Sequence, residues 1–247
     1  RGFSVKSCRS PQGAGFFLDK GTTMTVTDFV MENLHAAKEG GVSCLAERSS
    51  ILLENGRIQN TSAGSEGGAF HAMASSNITL RSVQATDSSA GDMGGFAILK
   101  SDSTFRLEYS HVQNTLVHEG DKGDGGGGGG GGGFTYLTGA SRLLLKRSQV
   151  TRARGTIGGC ILLDLGSHML GNGSSTFYNC TSDKDGGGIY IDARTIDVPN
   201  ATTSIVGIDI QHADSDRGAG VFVNGGKCIL DSVRIENAVA QSNGGGI

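Results

Sequence analysis

One stretch decides the fold: ILLENGRIQNTSAGSEGGAF, residues Ile51–Phe70. It reads apolar, any, apolar, then four residues, then apolar, any, Asn, and it reaches Asn60 in this way. A glycine pair that ends at Gly68 follows. Alternation with a period of two is typical of half-buried β-strands rather than helices. The stretch therefore predicts short strands separated by turns.

Glycine pairs or near-pairs recur along the whole chain, which holds 42 glycines in 247 residues. They end at Gly15, Gly41, Gly68, Gly95, Gly133, Gly159, Gly188, Gly220 and Gly246. Most of the intervals between them are 26 or 27 residues, which predicts a repeat of about 27 residues and about nine coils. The longest interval contains nine consecutive glycines, Gly125 to Gly133, so we predict a Gly-rich inserted loop over residues 116–131. We expect a neighbouring chain or coil to hold this glycine tract.

The position that Asn60 occupies is polar in every repeat. It is filled by Asn33, Asn60, Asp87, Asn114, Arg152, Asn179, His212 and Asn237. Stacked side chains at one turn position can hydrogen-bond along the stack. We therefore predict a structural ladder at Asn33, Asn60, Asp87, Asn114, Asn179, His212 and Asn237.

Each repeat is expected to hold three short strands: one after the glycine pair, one at the apolar-any-apolar run and one ending at Asn. Such a unit buries its inner face only by stacking on its neighbours. This predicts an all-β fold, a right-handed parallel β-helix that occupies residues 1–247 as a single solenoid segment, with further coils expected beyond the C-terminus. A leucine-rich repeat has a similar period, but the sequence lacks a leucine frame and helical periodicity between the strands.

The repeats resemble those of a known group of proteins. EGGAF at Glu66–Phe70 and FYNCTSDKDGGGIY at Phe177–Tyr190 are similar to the Gly-Gly and Asn motifs of polymorphic outer-membrane-protein repeats, within the pectin-lyase-like superfold. The resemblance covers nearly the whole chain. It implies a right-handed β-helix of the kind found in large surface proteins.

The same resemblance implies an alternative function, because many pectin-lyase-like β-helices cleave polysaccharides with carboxylates on one sheet face. GIDIQHADSDR at Gly207–Arg217 is the densest cluster of suitable side chains, and paired carboxylates can act as acid and base. The motif pattern of polygalacturonases is absent, however, and His212 falls in the ladder. Four acidic residues of neighbouring turns are candidates for calcium, which prefers oxygen ligands: Asp183, Asp185, Asp214 and Asp216.

One further row of the repeats is a candidate for contacts with partners. When the repeats are aligned on the last glycine of each group, the position between two apolar ones should face outward. Five large apolar side chains on this row form the interface candidate: Phe17, Phe70, Ile161, Tyr190 and Phe222. An exposed apolar row is typical of a contact surface.

Composition narrows the partners and the compartment. A formal net charge of −3 gives no indication of nucleic-acid binding, and no apolar stretch is long enough to predict a transmembrane segment. Five widely spaced cysteines without a CxxC motif are interpreted as small buried hydrophobes rather than a zinc site or a dense disulfide framework. Asn-x-Ser/Thr sequons indicate a secretory, extracellular or cell-surface location, with glycosylation candidates at Asn77, Asn172 and Asn200.

These features favour a non-enzymatic structural or interaction segment of an extracellular assembly, acting as a rigid spacer, adhesin or lattice subunit. Its expected partners are other protein subunits, further coils of the same chain and glycans, and no cofactor other than calcium is considered. The alternative is a carbohydrate-binding or polysaccharide-cleaving β-helix. An ice-binding surface is disfavoured because Thr23, Thr25 and Thr27 form a row in one coil only.

Overall fold

The computed structural model describes residues 2–118, 130–164, 166–192 and 202–247. These residues contain no helix and form a parallel β-solenoid, as predicted. Their strands belong to two sheets, one of sixteen strands and one of eight, called here the large sheet and the small sheet. The right hand of the solenoid stays a prediction.

Twenty-four strands lie in the described part of the chain. In chain order they are β1 Phe3–Lys6, β2 Arg9–Gln12, β3 Phe16–Leu18, β4 Thr23–Glu39, β5 Ser43–Leu45, β6 Ser50–Ala63, β7 Phe70–Ala72, β8 Asn77–Ala90, β9 Ala97–Leu99, β10 Thr104–Glu108, β11 His111–Val117, β12 Thr135–Leu137, β13 Arg142–Lys146, β14 Gln149–Gly155, β15 Ile161–Asp164, β16 His168–Tyr178, β17 Thr181–Ser182, β18 Ile189–Asp192, β19 Thr202–Gln211, β20 Asp214–Arg217, β21 Val221–Asn224, β22 Lys227–Asp231, β23 Arg234–Glu236 and β24 Val239–Asn243.

The small sheet consists of three- and four-residue strands, one from each coil, in the order β21-β18-β15-β12-β9-β7-β5-β3. All of its strands pair in parallel with the strand of the next coil. Ser43 pairs with Phe70 and Phe70 with Ala97, so the predicted spacing of 27 residues is the spacing of the coils. The large sheet contains the rest of each coil.

The predicted inserted loop separates β11 from β12, which is where the coil spacing rises. Its first residues, Leu116 and Val117, belong to β11 and pair with the neighbouring coils rather than leaving the solenoid. At its other end Gly131 forms isolated bridges to Met93 and Ile157. Residues 119–129, with most of the glycine tract, lie outside the described residues.

Single residues with positive φ bend each coil. One such bend falls at the predicted ladder position, where Asn33 has φ of 56° and Asn60 of 53°. The strand does not end there, because Thr61 continues in β6 and pairs with Leu34 and Ser88. Each coil therefore contains a further paired segment beyond the three strands predicted, since a one-residue bend redirects the chain without interrupting the ladder of backbone hydrogen bonds.

A second bend falls at the glycine pairs. The residue with positive φ is the first glycine of each pair or three-residue group, as at Gly13 and Gly186, and it is Gly132 near the end of the glycine tract. Alignment on the last glycine therefore shifts three-residue groups by one position. As a result Phe16 pairs with Ser43 and not with Val42, and the predicted inward and outward rows of the small sheet are displaced.

The core runs along the solenoid between the two sheets. Phenylalanines from both sheets stack inside it: Phe70 contacts Phe96 with ring centroids 5.3 Å apart, and Phe96 contacts Phe134 at 5.7 Å. Phe105 of the large sheet lies 6.1 Å from Phe134. These side chains are fully buried, so neighbouring coils share one continuous apolar interior.

In the inner strands of the small sheet the first and third residues point toward this core, as Ala97 and Leu99 do in β9. Because side chains alternate along a strand, the middle residue faces the other side. These middle residues form the outer row of the small sheet: Phe17, Cys44, His71, Ile98, Tyr136, Leu162, Tyr190 and Phe222. Cys44 and His71, two side chains that can bind a metal or a proton, are neighbours in the outer row.

Candidate functional site

A second row lies beside the outer row and covers it. It consists of the residues directly before the positive-φ glycines, which form isolated parallel bridges from coil to coil: Glu39, Glu66, Met93, Gly131, Ile157, Asp185 and Arg217. Here it is called the bridge row. A methyl group built on Gly131 would lie 2.3 Å from Leu162 Cδ2, which shows how closely the two rows approach.

In two successive coils both rows carry polar side chains. The outer row has Cys44 and His71, and the bridge row has Glu39 and Glu66 beside them. The neighbouring outer-row residues on either side are Phe17 and Ile98. The outer row is otherwise apolar or aromatic, so this block of four polar residues stands out as the candidate site.

His71 is the centre of the block. Its imidazole is 1% exposed, and both ring nitrogens face carboxylates: Nδ1 lies 3.3 Å from Glu39 Oε2, and Nε2 lies 3.4 Å from Glu66 Oε2. Cys44 Sγ lies 3.6 Å from the same Nδ1. The Nε2 separation is longer than a good hydrogen bond, and this buried atom has no hydrogen-bond partner.

Both carboxylates are held by side chains of the adjacent coils. Gln12 donates from Nε2 to Glu39 Oε2 at 2.7 Å, and Lys100 donates from Nζ to Glu66 Oε2 at 2.5 Å. The Glu39 and Glu66 side chains are 24% and 21% exposed, so they form the outer surface above the buried imidazole. The site thus draws residues from four consecutive coils.

The surroundings determine the charges of the block. The His71 imidazole and then the Lys100 ammonium lower the pKa of Glu66 to about 2, against the opposing effect of burial, so Glu66 is ionised at neutral pH. Burial, reinforced by the charge of Glu39, raises the pKa of the Cys44 thiol to about 12. A buried, protonated thiol is a poor nucleophile, so the arrangement does not favour covalent catalysis. It can hold a proton or a cation between Glu39, Cys44 and His71.

The sequence reasoning missed this block for two reasons. Alignment on the last glycine of each group assigns Cys44 and His71 to inward-facing positions, and no motif in the sequence places Glu39 and Glu66 beside them. The signal that could have found the block is the pairing itself: Cys44 and His71 are 27 residues apart, as are Glu39 and Glu66.

The predicted interface row does not form an exposed stripe. Phe70 and Ile161 belong to the core, so the outward direction predicted for them is wrong, because alignment on the last glycine displaced the register. Tyr190 and Phe222 do lie in the outer row, with their rings stacked at 5.3 Å, but Tyr190 is buried and the Arg217 guanidinium covers Phe222 at 5.0 Å. Phe17 is 55% exposed.

The predicted ladder residues share one bend of the coils. The bend residues have φ between 52° and 59°: Asn33, Asn60, Asp87, Asn114, Asn179, His212 and Asn237. Asn60 Nδ2 donates to Asn33 Oδ1 at 2.6 Å, and Asn114 Nδ2 donates to Asp87 Oδ1 at 2.9 Å. Asn237 Nδ2 lies 3.5 Å from His212 Nε2. These contacts link coils at the surface.

The four calcium candidates are not brought together as a ligand set. Asp185 forms two 2.7 Å contacts with the Arg217 guanidinium, and Asp183 accepts from Arg154 at 2.8 Å. Asp214 and Asp216 are exposed in and beside the coil-to-coil pairing of β20. Within the described ranges, the group whose ligand atoms lie within 4.8 Å of one another is Glu39, Cys44 and His71.

The cysteines differ from the prediction. Cys160 and Cys180 form a disulfide within the core, so the interpretation of these two as unpaired hydrophobes is wrong. Cys8, Cys44 and Cys228 are free. Cys160 directly follows a glycine pair, and Cys180 directly follows the ladder residue Asn179. The two positions lie opposite each other in one coil, so their sulfurs meet in the interior.

Of the predicted glycosylation sites, Asn77 at the start of β8 and Asn172 in β16 are exposed. Asn200 lies outside the described residues. No helix in the described segments is long and apolar enough to cross a membrane. Comparisons with protein-family models, with curated proteins and with solved structures give no match to the chain.

Proposed function

We propose that the chain is a rigid, non-enzymatic β-solenoid segment of an extracellular or cell-surface assembly. It serves as a spacer, adhesin or lattice element whose sides contact neighbouring subunits or glycans. The continuous core and the in-register pairing of successive coils suit this role, because stacked repeats transmit load along one axis.

The observation that carries the proposal is the way in which the side chains suited to catalysis are used. Asp185 is buried and paired with Arg217 of the next coil, and Arg217 also stacks on Phe222. His212 contacts Asn237 and lies edge-on to Tyr178 at 5.1 Å. Asp185, Arg217 and His212 therefore fasten coils to one another, which favours a scaffold over polysaccharide cleavage.

Two further features support the compartment. The Cys160–Cys180 disulfide suits an oxidising environment. Asn77 and Asn172 lie in sequons and are exposed, as glycan addition requires. The disulfide and the exposed sequons therefore both support a secreted and glycosylated protein.

Two measurements test the proposal. The full chain is incubated with pectate, alginate, chitin and xylan, and soluble products are analysed by mass spectrometry; no cleavage is expected. An antibody against the folded chain should stain intact cells of the source organism without permeabilisation. Product release that is abolished in Asp214→Asn/Asp216→Asn would contradict the non-enzymatic role, and staining that requires permeabilisation would contradict the surface location.

A further inference from the structure

The outer face of the small sheet carries a feature that a scaffold does not require. We propose that Glu39, Cys44 and His71 bind a divalent transition-metal ion of the zinc type. The three ligand atoms are Glu39 Oε2, Cys44 Sγ and His71 Nδ1, and they lie within 4.8 Å of one another. The site is independent of the structural role proposed above.

The separations match the edges of a metal polyhedron. A tetrahedral zinc ion, with Zn–S of about 2.3 Å and Zn–N and Zn–O of about 2.1 Å, places sulfur and nitrogen about 3.6 Å apart and nitrogen and oxygen about 3.4 Å apart. Here Cys44 Sγ and His71 Nδ1 are separated by 3.6 Å, and His71 Nδ1 and Glu39 Oε2 by 3.3 Å. The remaining edge, between Cys44 Sγ and the Glu39 carboxylate, is no longer than 4.8 Å.

The buried imidazole presents one nitrogen to a metal. Each ring nitrogen of His71 faces a carboxylate oxygen, and the Cys44 thiol lies beside Nδ1. With the proton on Nε2 and directed at Glu66, the lone pair of Nδ1 is free to bind a metal that takes the place of the thiol proton. A histidine ligand whose second nitrogen faces a carboxylate is the usual outer-shell arrangement of metal sites.

Charge balance favours the same conclusion. The block contains two carboxylates, Glu39 and Glu66. The ammonium of Lys100, from an adjacent coil, forms an ion pair with Glu66. Glu39 has Gln12 as a neutral donor, and a carboxylate oxygen has a second lone pair for a metal. Glu39 is therefore the carboxylate whose negative charge a bound cation would neutralise.

The ligand types select the class of metal. Zinc binding displaces the proton of the Cys44 thiol, which is released to solvent. The resulting thiolate and the imidazole together favour zinc and related transition metals over calcium and magnesium, which prefer oxygen ligands. Three protein ligands leave a fourth position for water. Because Cys44 and His71 belong to adjacent strands β5 and β7, the ion would also clamp two coils together.

The test uses the full chain, with its disulfide intact, and adds zinc or cobalt. We expect about one equivalent of zinc to bind in competition with a chromogenic chelator, a rise in the unfolding temperature, and a thiolate-to-cobalt charge-transfer band. Cys44→Ser and His71→Gln should each weaken zinc binding by about 100-fold or more and abolish the band. Glu66→Gln, which alters the outer contact, should weaken binding by about 10-fold.

Cys228→Ser is the matched control, because Cys228 is a free, partly buried thiol far along the chain; zinc affinity and the cobalt band should be unchanged. The band in the unmodified chain keeps the test decisive even if a variant folds poorly. No stoichiometric zinc binding would overturn the proposal. Binding without a thiolate band, or equal loss in Cys228→Ser, would overturn it as well.

Discussion

Asn60 Nδ2 donates a hydrogen bond to Asn33 Oδ1 at 2.6 Å, and both residues have positive φ. One residue type thus serves two purposes at this bend. Asn tolerates the left-handed backbone better than residues other than Gly. Its short amide also reaches the side chain at the equivalent position one coil away. These two properties explain why the position is so often Asn.

These two contributions can be separated at Asn60. Asn60→Ala removes the hydrogen bond and places an unsuitable residue in the left-handed region, so we expect a loss of about 2 kcal/mol in the free energy of unfolding. Asn60→Gly removes only the hydrogen bond and should cost about 1 kcal/mol. Chemical denaturation of unglycosylated protein measures both. Equal losses for the two variants would mean that backbone conformation contributes nothing.

The spacing of the chain encodes much of this fold. Glycine pairs and the Asn position recur at the period of one coil, so the repeat, the parallel pairing and the shared bend follow from sequence alone. The register of the small sheet does not. Groups such as Gly13-Ala14-Gly15 contain two candidate bend glycines, and only backbone dihedrals show that the first one is used. Because of that single-residue difference, alignment on the last glycine predicts that Phe70 faces outward, whereas Phe70 lies in the core.

The candidate metal site depends on contacts between the outer row and the bridge row. A periodic sequence pattern does not contain these contacts. The bridge row covers the outer row, so Glu39 approaches His71 although they are 32 residues apart. The Cys160–Cys180 bond is similar, because its two sulfurs meet across the interior of a coil. Periodicity predicts which residues share a row, but contacts between rows depend on how the coil closes.

Close approach of coils at Gly68 predicts a severe effect of any side chain. A methyl group at Gly68 would lie 2.1 Å from the Gly95 carbonyl oxygen and 2.5 Å from that of Ser89, both backbone atoms. Gly68→Ala must therefore separate two coils, and we expect a loss of at least about 3 kcal/mol in unfolding free energy or failure to fold. Gly246→Ala is the control, because nothing lies within 4 Å of its methyl group. Thermal unfolding compares the two, and similar stability would contradict the packing described.

The disulfide predicts a measurable loss on removal. Cys160 and Cys180 are 20 residues apart, and closing a loop of about that length contributes about 3 kcal/mol through the unfolded state. Cys160→Ala/Cys180→Ala should lose roughly this amount in chemical denaturation, whereas Cys8→Ser, at a free cysteine, should lose less than about 1 kcal/mol. Peptide mapping without reduction should recover the Cys160–Cys180 pair. Recovery of a different pair would contradict the assignment.

The ion pair between Arg217 and Asp185 should matter more than the one between Arg154 and Asp183. Arg217 binds a buried carboxylate through two nitrogens and stacks on Phe222, which a lysine cannot reproduce. Arg217→Lys should therefore lower the free energy of unfolding measurably. Arg154→Lys alters an exposed pair and should change it by less than about 0.5 kcal/mol. Equal effects in denaturation experiments would show that burial of Asp185 is unimportant.

His111 and His168 give the chain a dependence on mild acid. Burial is the main reason that the pKa of each lies below its ordinary value of 6.5, with the positive charges of Arg152 and Arg142 adding to the effect. In the unfolded chain both take up protons as the pH falls below about 6.5, while the folded chain resists protonation. Stability is therefore complete above that pH and declines as the pH falls through the lower folded values. His111→Gln/His168→Gln should flatten this decline between pH 7 and 5, measured by unfolding midpoints relative to pH 8, where the imidazoles of both states are neutral. Glutamine does not titrate, but it keeps a polar partner for Thr151 and Ser204, so the double variant removes only the protonation. An unchanged decline would therefore show that other groups govern the response to acid.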